Sequence, residues 1–232
     1  MSLSVLADGY GTGRVAREIP PEADGVVRAM PVILRIERDP QPSRTALLEA
    51  AATAALAVCL DPRAQAGGEW DEPVRTWVDG RIRKIARRAR GSHWEAVQEL
   101  PGVTVGEGTA QARALLPGPV DDVPKTVSRL QIGGTDLEDD APGPPPEGRP
   151  LIVLNPYVEM SVGKAAAQVG HASMILAAVR GWTSAPAFAV RDTTRAEWDA
   201  LLAEVEAGTV VAVRDAGFTE VDPGTVTCVA RG

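Results

Sequence analysis

The chain has 232 residues, of which 44% are hydrophobic and 24% charged, so it can form one large globular domain or two small ones. Its net charge of −7 argues against a protein that grips nucleic acid over its whole surface, although a local basic patch would suffice for binding. Cys59 and Cys228 are far apart and have no companion Cys or His residues, which indicates neither a zinc site nor a disulfide framework.

The sequence carries no signal for a membrane. No leader with a charged and then an apolar region opens it, and no apolar run approaches the roughly 18 residues of a membrane span. The sequence therefore predicts a cytoplasmic protein without a membrane partner.

Two segments have a composition that predicts no packed structure. Residues 1–29 combine glycine, acidic residues and alanine without a sustained period, which predicts a flexible amino-terminal tail. Residues 133–149 are mainly glycine, proline and acidic residues, which predicts an extended linker. The chain is thus predicted to contain one domain at 30–132 and a second at 150–232.

The two predicted domains share a pattern. Residues 31–60 align without a gap with residues 150–179, each with a proline-led apolar strand, a loop and an alanine-rich helix. Two later blocks recur in the same order and place Trp94 opposite Trp198. Three blocks in one order indicate an internal duplication.

A basic run, RIRKIARRAR at 81–90, occurs only in the first domain. Read as a helix, it places positions 83, 87 and 90 on one side, with 84 and 88 beside them. A run of charge is most often a solvated face, and the functional alternative is a strip that contacts RNA phosphates. The candidate RNA contacts are Arg83, Lys84, Arg87 and Arg88.

The second domain opens with the most informative stretch of the chain. Leu151–Leu154 is an apolar run that predicts a buried strand, and residues 164–179 are an alanine-rich segment with strong helix formers, which predicts a helix. On that helix Lys164, Gln168 and His171 lie on one face. These three residues form a polar stripe that begins at the helix amino terminus, where free N–H groups and the macrodipole favour an anion.

The remaining elements of the second domain are marked by local signals. Thr194 and Glu197 form a capping box that starts another helix, and residues 209–213 and 225–229 predict two strands. Asp215 follows the first of these strands, at the carboxyl end where α/β sheets commonly place their sites.

Residues 160–172 read MSVGKAAAQVGHA, and residues 215–227 read DAGFTEVDPGTVT. Both strings resemble the signatures of type 2 peptidyl-tRNA hydrolases, in the family's order and at about its spacing. The resemblance covers roughly residues 150–230. It implies an α/β/α layered domain with a small mixed sheet, a role in translation and ribosome rescue, and usually a homodimer. It also implies hydrolysis of the ester between peptide and tRNA without a metal or other cofactor.

The resemblance also implies a set of site residues. Its candidate catalytic residues are Lys164, Asp215 and Thr219, and its candidate substrate contacts are Gln168, His171, Gly217, Thr225 and Thr227.

Several roles are open for these residues. Ester hydrolysis needs a positioned water, a base and positive charge for the developing oxyanion. Asp215 can act as the base or orient Lys164, and Lys164 can hold the oxyanion or a tRNA phosphate. The threonines can donate to the ester carbonyl or position the water, and Gln168 can bind the peptide or the terminal ribose. His171 is interpreted as a packed, hydrogen-bonded residue rather than a general base.

The first domain lacks these residues at the aligned positions. Thr45, Glu49 and Ala52 stand opposite Lys164, Gln168 and His171. We therefore predict two tandem three-layer α/β/α domains with small mixed sheets, related by a pseudo-two-fold axis, the first a degenerate copy of the second. Such a chain would be a monomer that mimics the family's homodimer, with a true homodimer as the alternative. The family continues past its last strand whereas this sequence stops at Gly232, so a trimmed substrate cleft is expected.

Three functions follow from these observations. The first is a peptidyl-tRNA hydrolase, and the second is a non-catalytic tRNA- or RNA-binding or regulatory module that keeps the hydrolase fold. The third is a hydrolase for a different acyl ester or amide. Turnover of an N-blocked aminoacyl-tRNA separates the first from the others.

Overall fold

The structure, a computed structural model, describes residues 3–10, 22, 24–215 and 222–232. In the amino-terminal half the elements are α1 (Ser4–Tyr10), β1 (Arg28–Arg35), α2 (Arg44–Leu60), α3 (Asp71–Asp79), β2 (Lys84–Ala89), α4 (Ser92–Val97), β3 (Gly102–Glu107), β4 (Ala110–Leu115), β5 (Gly118–Pro119) and α5 (Lys125–Ser128). In the carboxy-terminal half they are β6 (Leu151–Leu154), α6 (Val162–Arg180), β7 (Ala189–Arg191), α7 (Arg195–Glu206), β8 (Val211–Arg214) and β9 (Val226–Arg231). None of the helices in these ranges combines the length and apolar content that crossing a bilayer requires.

The two halves contain sheets with the same topology. The first sheet has the order β2-β1-β4-β3, with β5 also pairing with β1, and the second has the order β7-β6-β9-β8. In both, the opening strand pairs in parallel with one neighbour and antiparallel with the other. The predicted fold class, mixed α/β with two small mixed sheets, is confirmed. That the first half is a degenerate copy of the second's family stays a prediction, and the common topology agrees with it.

Helices cover both faces of each sheet. On the outer faces, Trp198 of α7 packs against the second sheet and Trp94 of α4 against the first, in two separate apolar clusters. On the inner faces, α2 and α6 contribute to one large apolar core that includes side chains from both sheets. Burial of this shared surface is the main force that holds the halves together.

The contact between α2 and α6 is close because small residues line it. The Ser173 hydroxyl donates to the carbonyl of Ala52 at 2.8 Å. A Cβ at Gly170 would lie 3.2 Å from that of Ala55 and 3.0 Å from the side chain of Lys84, so a larger residue there would force a neighbour to move.

Each central helix also contacts the edge strand of the other half's sheet. On one side, Glu49 of α2 accepts from the backbone N–H of Val190 at 3.1 Å and pairs with Arg191 of β7. On the other side, His171 of α6 contacts Lys84 of β2. Such reciprocal contacts are those expected of a pseudo-two-fold pair.

The prediction of a flexible tail at residues 1–29 is wrong for α1. This helix packs against α6 and β8, and Leu3 and Leu6 are buried in the shared core. Three apolar residues, Leu3, Val5 and Leu6, supply the contact surface, although the segment is too short for a periodic signal.

The helical interpretation of the basic run at 81–90 is wrong as well. Residues Lys84–Ala89 form an edge strand that pairs in parallel with β1, so tertiary pairing overrides helix propensity. In a strand, alternate residues point to opposite faces. Ala86 accordingly belongs to the shared core and Ala89 to the outer cluster, so positions 83, 87 and 90 do not share one side of a helix. That the basic residues contact RNA phosphates stays a prediction.

The predicted linker is irregular, but it is docked on both halves. The Thr135 hydroxyl accepts from the backbone N–H of Gly163 at 3.0 Å, in the first turn of α6. The Asp140 carboxylate accepts from the backbone N–H of Thr45 at 3.2 Å and from the hydroxyls of Ser43 and Thr45, at the start of α2. Burial raises the pKa of Asp140, but the hydrogen bonds from Ser43 and Thr45 outweigh it and leave the pKa below its ordinary value.

Replacing Asp140 with alanine is expected to lower the free energy of unfolding by about 1–2 kcal/mol, because α2 loses a charged acceptor at its amino terminus. Urea denaturation at neutral pH measures the change. Asp136→Ala, which removes an exposed acid of the same segment, is the matched control. Equal stability of the two variants would show that the segment does not support α2.

Candidate functional site

The site begins at the amino terminus of α6. Ser161 is the N-cap, and its hydroxyl accepts from the backbone N–H of Lys164 at 3.2 Å. Lys164 and Gln168 lie one turn apart on the same face of the helix, as the sequence predicts. Both side chains point toward the carboxyl end of β8.

Asp215 comes directly after β8, and backbone hydrogen bonds fix its position. Its N–H donates to the carbonyl of Thr225 at 2.9 Å, and its carbonyl accepts from the N–H of Gly224 at 2.8 Å. The pairing of β8 with β9 shifts in register between Val213 and Arg214. Such an irregularity re-aims the side chains that follow it, and here it precedes the residue whose carboxylate reaches α6.

Four predicted site residues join in one hydrogen-bonded chain. The Lys164 ammonium pairs with Oδ2 of Asp215, and Nε2 of Gln168 donates to the same oxygen at 2.9 Å. The Thr227 hydroxyl lies 2.7 Å from Oε1 of Gln168, to which it donates, and 3.3 Å from the carbonyl of Val213. The side chains of Lys164 and Asp215 are only 10% and 5% exposed. An ion pair buried to this degree carries a large desolvation cost, which geometry and further hydrogen bonds must offset.

Asn155 supports this arrangement and was not predicted as a site residue. Its Nδ2 donates to the carbonyl of Val226 at 2.6 Å, and its backbone N–H donates to the carbonyl of Thr227 at 3.0 Å. Its Oδ1 accepts from the N–H of Tyr157 at 2.8 Å. Asn155 therefore joins the end of β6 to β9 beside the network, where it is buried. Its place directly after the apolar run 151–154 is the signal in the sequence that could have identified it.

Of the four remaining predicted site residues, the structure describes two. Gly217 and Thr219 lie outside the described residues. Thr225 is half-buried, and its carbonyl holds Asp215 in place. His171 continues the stripe of Lys164 and Gln168, but its partner is Lys84, with Nδ1 and Nζ 3.3 Å apart.

Burial sets the ionisation of the Lys84 and His171 pair. Desolvation lowers the pKa of Lys84 to about 7, against an ordinary value of about 10.4. Desolvation, helped by the positive charges of Lys84 and Lys164, also lowers the pKa of His171 well below its ordinary range. The imidazole is therefore neutral at pH 7 and can accept from the ammonium group.

The other three candidate RNA contacts have protein partners as well. Arg83 pairs with Glu22, Arg87 donates to the carbonyl of Leu130 at 2.8 Å, and Arg88 donates to the side chain of Gln131. Lys84 and Arg87 lie on opposite faces of β2, and it is Lys84 that approaches the stripe on α6. No alternation of apolar and polar residues marks Lys84–Ala89 as a strand in the sequence, so no local signal predicted this approach.

The residues of the Lys164–Asp215 network all belong to the two motifs that resemble a known family. Residues 150–232 match the family model described as peptidyl-tRNA hydrolase PTH2. The predicted resemblance is thereby confirmed for this PTH2 segment, which contains every residue of the network. No curated protein and no solved structure matches the chain. Within the described ranges, no three His, Cys, Asp or Glu side chains converge as a metal site would require.

Proposed function

We propose that the chain is a peptidyl-tRNA hydrolase that cleaves the ester between peptide and tRNA, and that the reaction needs no metal. The observation that carries the proposal is the buried Lys164–Asp215 pair, joined to Gln168 and Thr227 inside the PTH2 segment. The proposed substrate is the acceptor end of a peptidyl-tRNA, and the proposed setting is the cytoplasm.

The geometry favours a division of roles among the open alternatives. Asp215 holds Lys164 by an ion pair, so Lys164 is placed to stabilise negative charge that develops on the ester oxygen. In a site that excludes water the stabilisation of this negative charge is large, because a low dielectric constant strengthens its attraction to Lys164. When substrate displaces the pair, the freed carboxylate can take a proton from the attacking water.

Gln168 and Thr227 have a positioning role in this proposal. Thr227 is fully buried, and its hydroxyl is directed at Gln168 rather than at solvent. The Thr227–Gln168 hydrogen bond fixes the amide so that Nε2 faces Asp215. Thr227 thus acts through Gln168 and does not touch substrate, whereas the sequence left direct contact open. Thr219 stays a predicted catalytic residue, and Gly217 and Thr225 stay predicted substrate contacts.

The first half enters the proposal as a fused structural partner. A chain whose halves bury a common core already contains the interface that a homodimer would form, so we propose a monomeric pseudo-dimer. Size-exclusion chromatography with light scattering at micromolar concentration tests this state, and a stable dimer would contradict it.

Purified full-length protein is expected to release acylated amino acid from N-acetyl-aminoacyl-tRNA, with EDTA present throughout. Release of product at the rate of buffer alone would contradict the proposed enzyme. Salt-sensitive tRNA binding without turnover would favour the non-catalytic RNA-binding module, and hydrolysis of simple acyl esters in place of the tRNA ester would favour the third candidate.

Replacing Thr227 with valine is expected to lower kcat about 10-fold, because the Gln168 amide loses the donor that orients it. Thr227→Ser keeps the hydroxyl and is the matched control, expected to retain most of the activity. Steady-state kinetics on N-acetyl-aminoacyl-tRNA measures both. If valine retains activity while serine loses it, packing of the threonine methyl rather than the Thr227–Gln168 hydrogen bond supports the site.

A further inference from the structure

The amino-terminal half contributes one charged side chain to the stripe on α6. Lys84 belongs to β2, the edge strand of the first sheet, and its ammonium group reaches His171 across the interface between the halves. His171 lies seven residues after Lys164 on α6, which is about 10 Å along the helix axis. Lys164 and Lys84 thus mark the two ends of one face of α6.

The pseudo-two-fold relation shows that this polar pair is specific to one side. With residues 31–60 aligned to 150–179, His171 corresponds to Ala52. Val32 of β1 and Leu151 of β6 correspond in the same alignment, and their strand partners are Ala86 and Ala189. Lys84 stands two residues before Ala86, and Ala187 stands two residues before Ala189, so Lys84 corresponds to Ala187. The half-to-half contact that contains Lys164 therefore has a lysine and a histidine where the related contact has two alanines.

In the described part of the chain, the Lys84 ammonium contacts neutral groups. Among the described residues, its ammonium lies 3.3 Å from the carbonyl of Ile82, 3.3 Å from the neutral imidazole of His171 and 5.0 Å from the centre of the Trp77 ring. These are dipolar and π contacts, which cannot neutralise a cation. A partly buried lysine ammonium in such surroundings lowers the free energy of unfolding unless an anionic ligand pairs with it.

We propose that Lys84, positioned by His171 and Trp77, binds a backbone phosphate near the 3′ end of the RNA substrate, while the ester occupies the Lys164 end of the same face. This inference rests on the proposed function for the identity of the substrate. Lysine binds phosphate as a point charge and does not need a bidentate geometry. The amino-terminal half then completes a composite site, although it lacks the residues that correspond to Lys164 and His171.

The test compares full-length wild type with Lys84→Met, Lys84→Arg and Lys125→Met. Lys125 is exposed on α5, which packs on the outer side of the first sheet, so its substitution controls for the loss of one positive charge.

The first readout is the affinity for a fluorescent acceptor-stem RNA with a single-stranded 3′ end, measured by anisotropy at several salt concentrations. We expect Lys84→Met to weaken binding about 10-fold and to reduce the salt slope by about 0.7–0.9, the value for one lost phosphate contact. Lys84→Arg keeps the charge and should keep the slope.

The second readout is hydrolysis of two esters, N-acetyl-aminoacyl-tRNA and the same acyl group on adenosine, which has no phosphate. We expect Lys84→Met to lower the ratio of kcat/KM for the tRNA ester to that for the adenosine ester about 10-fold, chiefly through KM. An unchanged ratio overturns the inference, as do an unchanged salt slope and an equal effect of Lys125→Met. If wild type hydrolyses neither ester, the proposed function fails and the salt slopes alone decide on Lys84. If wild type does not bind the RNA, the inference fails too.

Discussion

Replacing Asp215 with asparagine is expected to slow hydrolysis of peptidyl-tRNA by about 10²-fold or more, because the site loses both a base and the anion that aligns Lys164. Lys164→Met should have a similar effect, since it removes the charge proposed to stabilise the oxyanion. Because the two side chains act as one pair, the double variant should lose little more activity than either single one. Single-turnover kinetics on N-acetyl-aminoacyl-tRNA measures all three, with Asp121→Asn, an exposed acid of the first half, as control.

The same variants separate a catalytic pair from a structural one. Removing one member of a buried ion pair leaves an uncompensated charge and typically costs about 3–5 kcal/mol of stability. Lys164→Met combined with Asp215→Asn leaves no charge behind, so the double variant should recover stability while staying inactive. Recovery of activity together with stability would show that the Lys164–Asp215 pair only supports the fold.

Local signals were sufficient to predict the elements that hold the site. The apolar run of β6 matches the structure residue for residue, and the capping box that starts α7 has both of its hydrogen bonds. The helical spacing of Lys164 and Gln168 predicted that two polar side chains share one face, and both of them contact Asp215 from that face. These features depend on residues close together in sequence, which is why they could be predicted.

The features that were missed depend on contacts between distant parts of the chain. The strand β2 forms because it pairs with β1, some fifty residues earlier, and nothing within its own basic sequence encodes that pairing. Helix α1 is held by α6 and β8, and the linker by the amino termini of α2 and α6. Lys84 consequently lies at the interface between the halves, whereas the helical interpretation placed it on a solvated face.

That the Asp215 carboxylate reaches Gln168 as well as Lys164 was equally invisible to local analysis. The motif resemblance named both residues as site residues but gave no distance between them. The contact requires β8 to lie at the edge of the second sheet, beyond β9, and α6 to cross its carboxyl end. Fold topology therefore supplied the geometry, and the residues supplied the chemistry.

Raising the pH from 7 to 9 is expected to stabilise wild type relative to Lys84→Met by about 2 kcal/mol. The pKa of Lys84 is about 7 in the folded protein and returns to about 10.4 on unfolding. Between these values the unfolded chain binds more protons than the folded one, so stability rises with pH. Below pH 7 both states are protonated, and the full cost of burying the ammonium is present. Lys84→Met removes this titration, so at pH 7 it should be the more stable protein.

Urea denaturation at half-unit pH steps measures the difference, with Lys125→Met as the control that should run parallel to wild type. Other titratable groups around Lys84 do not produce this rise in stability between pH 7 and 9. The pKa of His171 is lowered, so its contribution lies below pH 6.5, and burial raises the pKa of the Cys59 thiol to about 12. Unfolded-state thiolates form equally in wild type and in Lys84→Met and cancel in the comparison. Parallel curves for these two proteins from pH 7 to 9 would mean that the ammonium is well solvated, and the electrostatic reason for an anionic ligand at Lys84 would be lost with it.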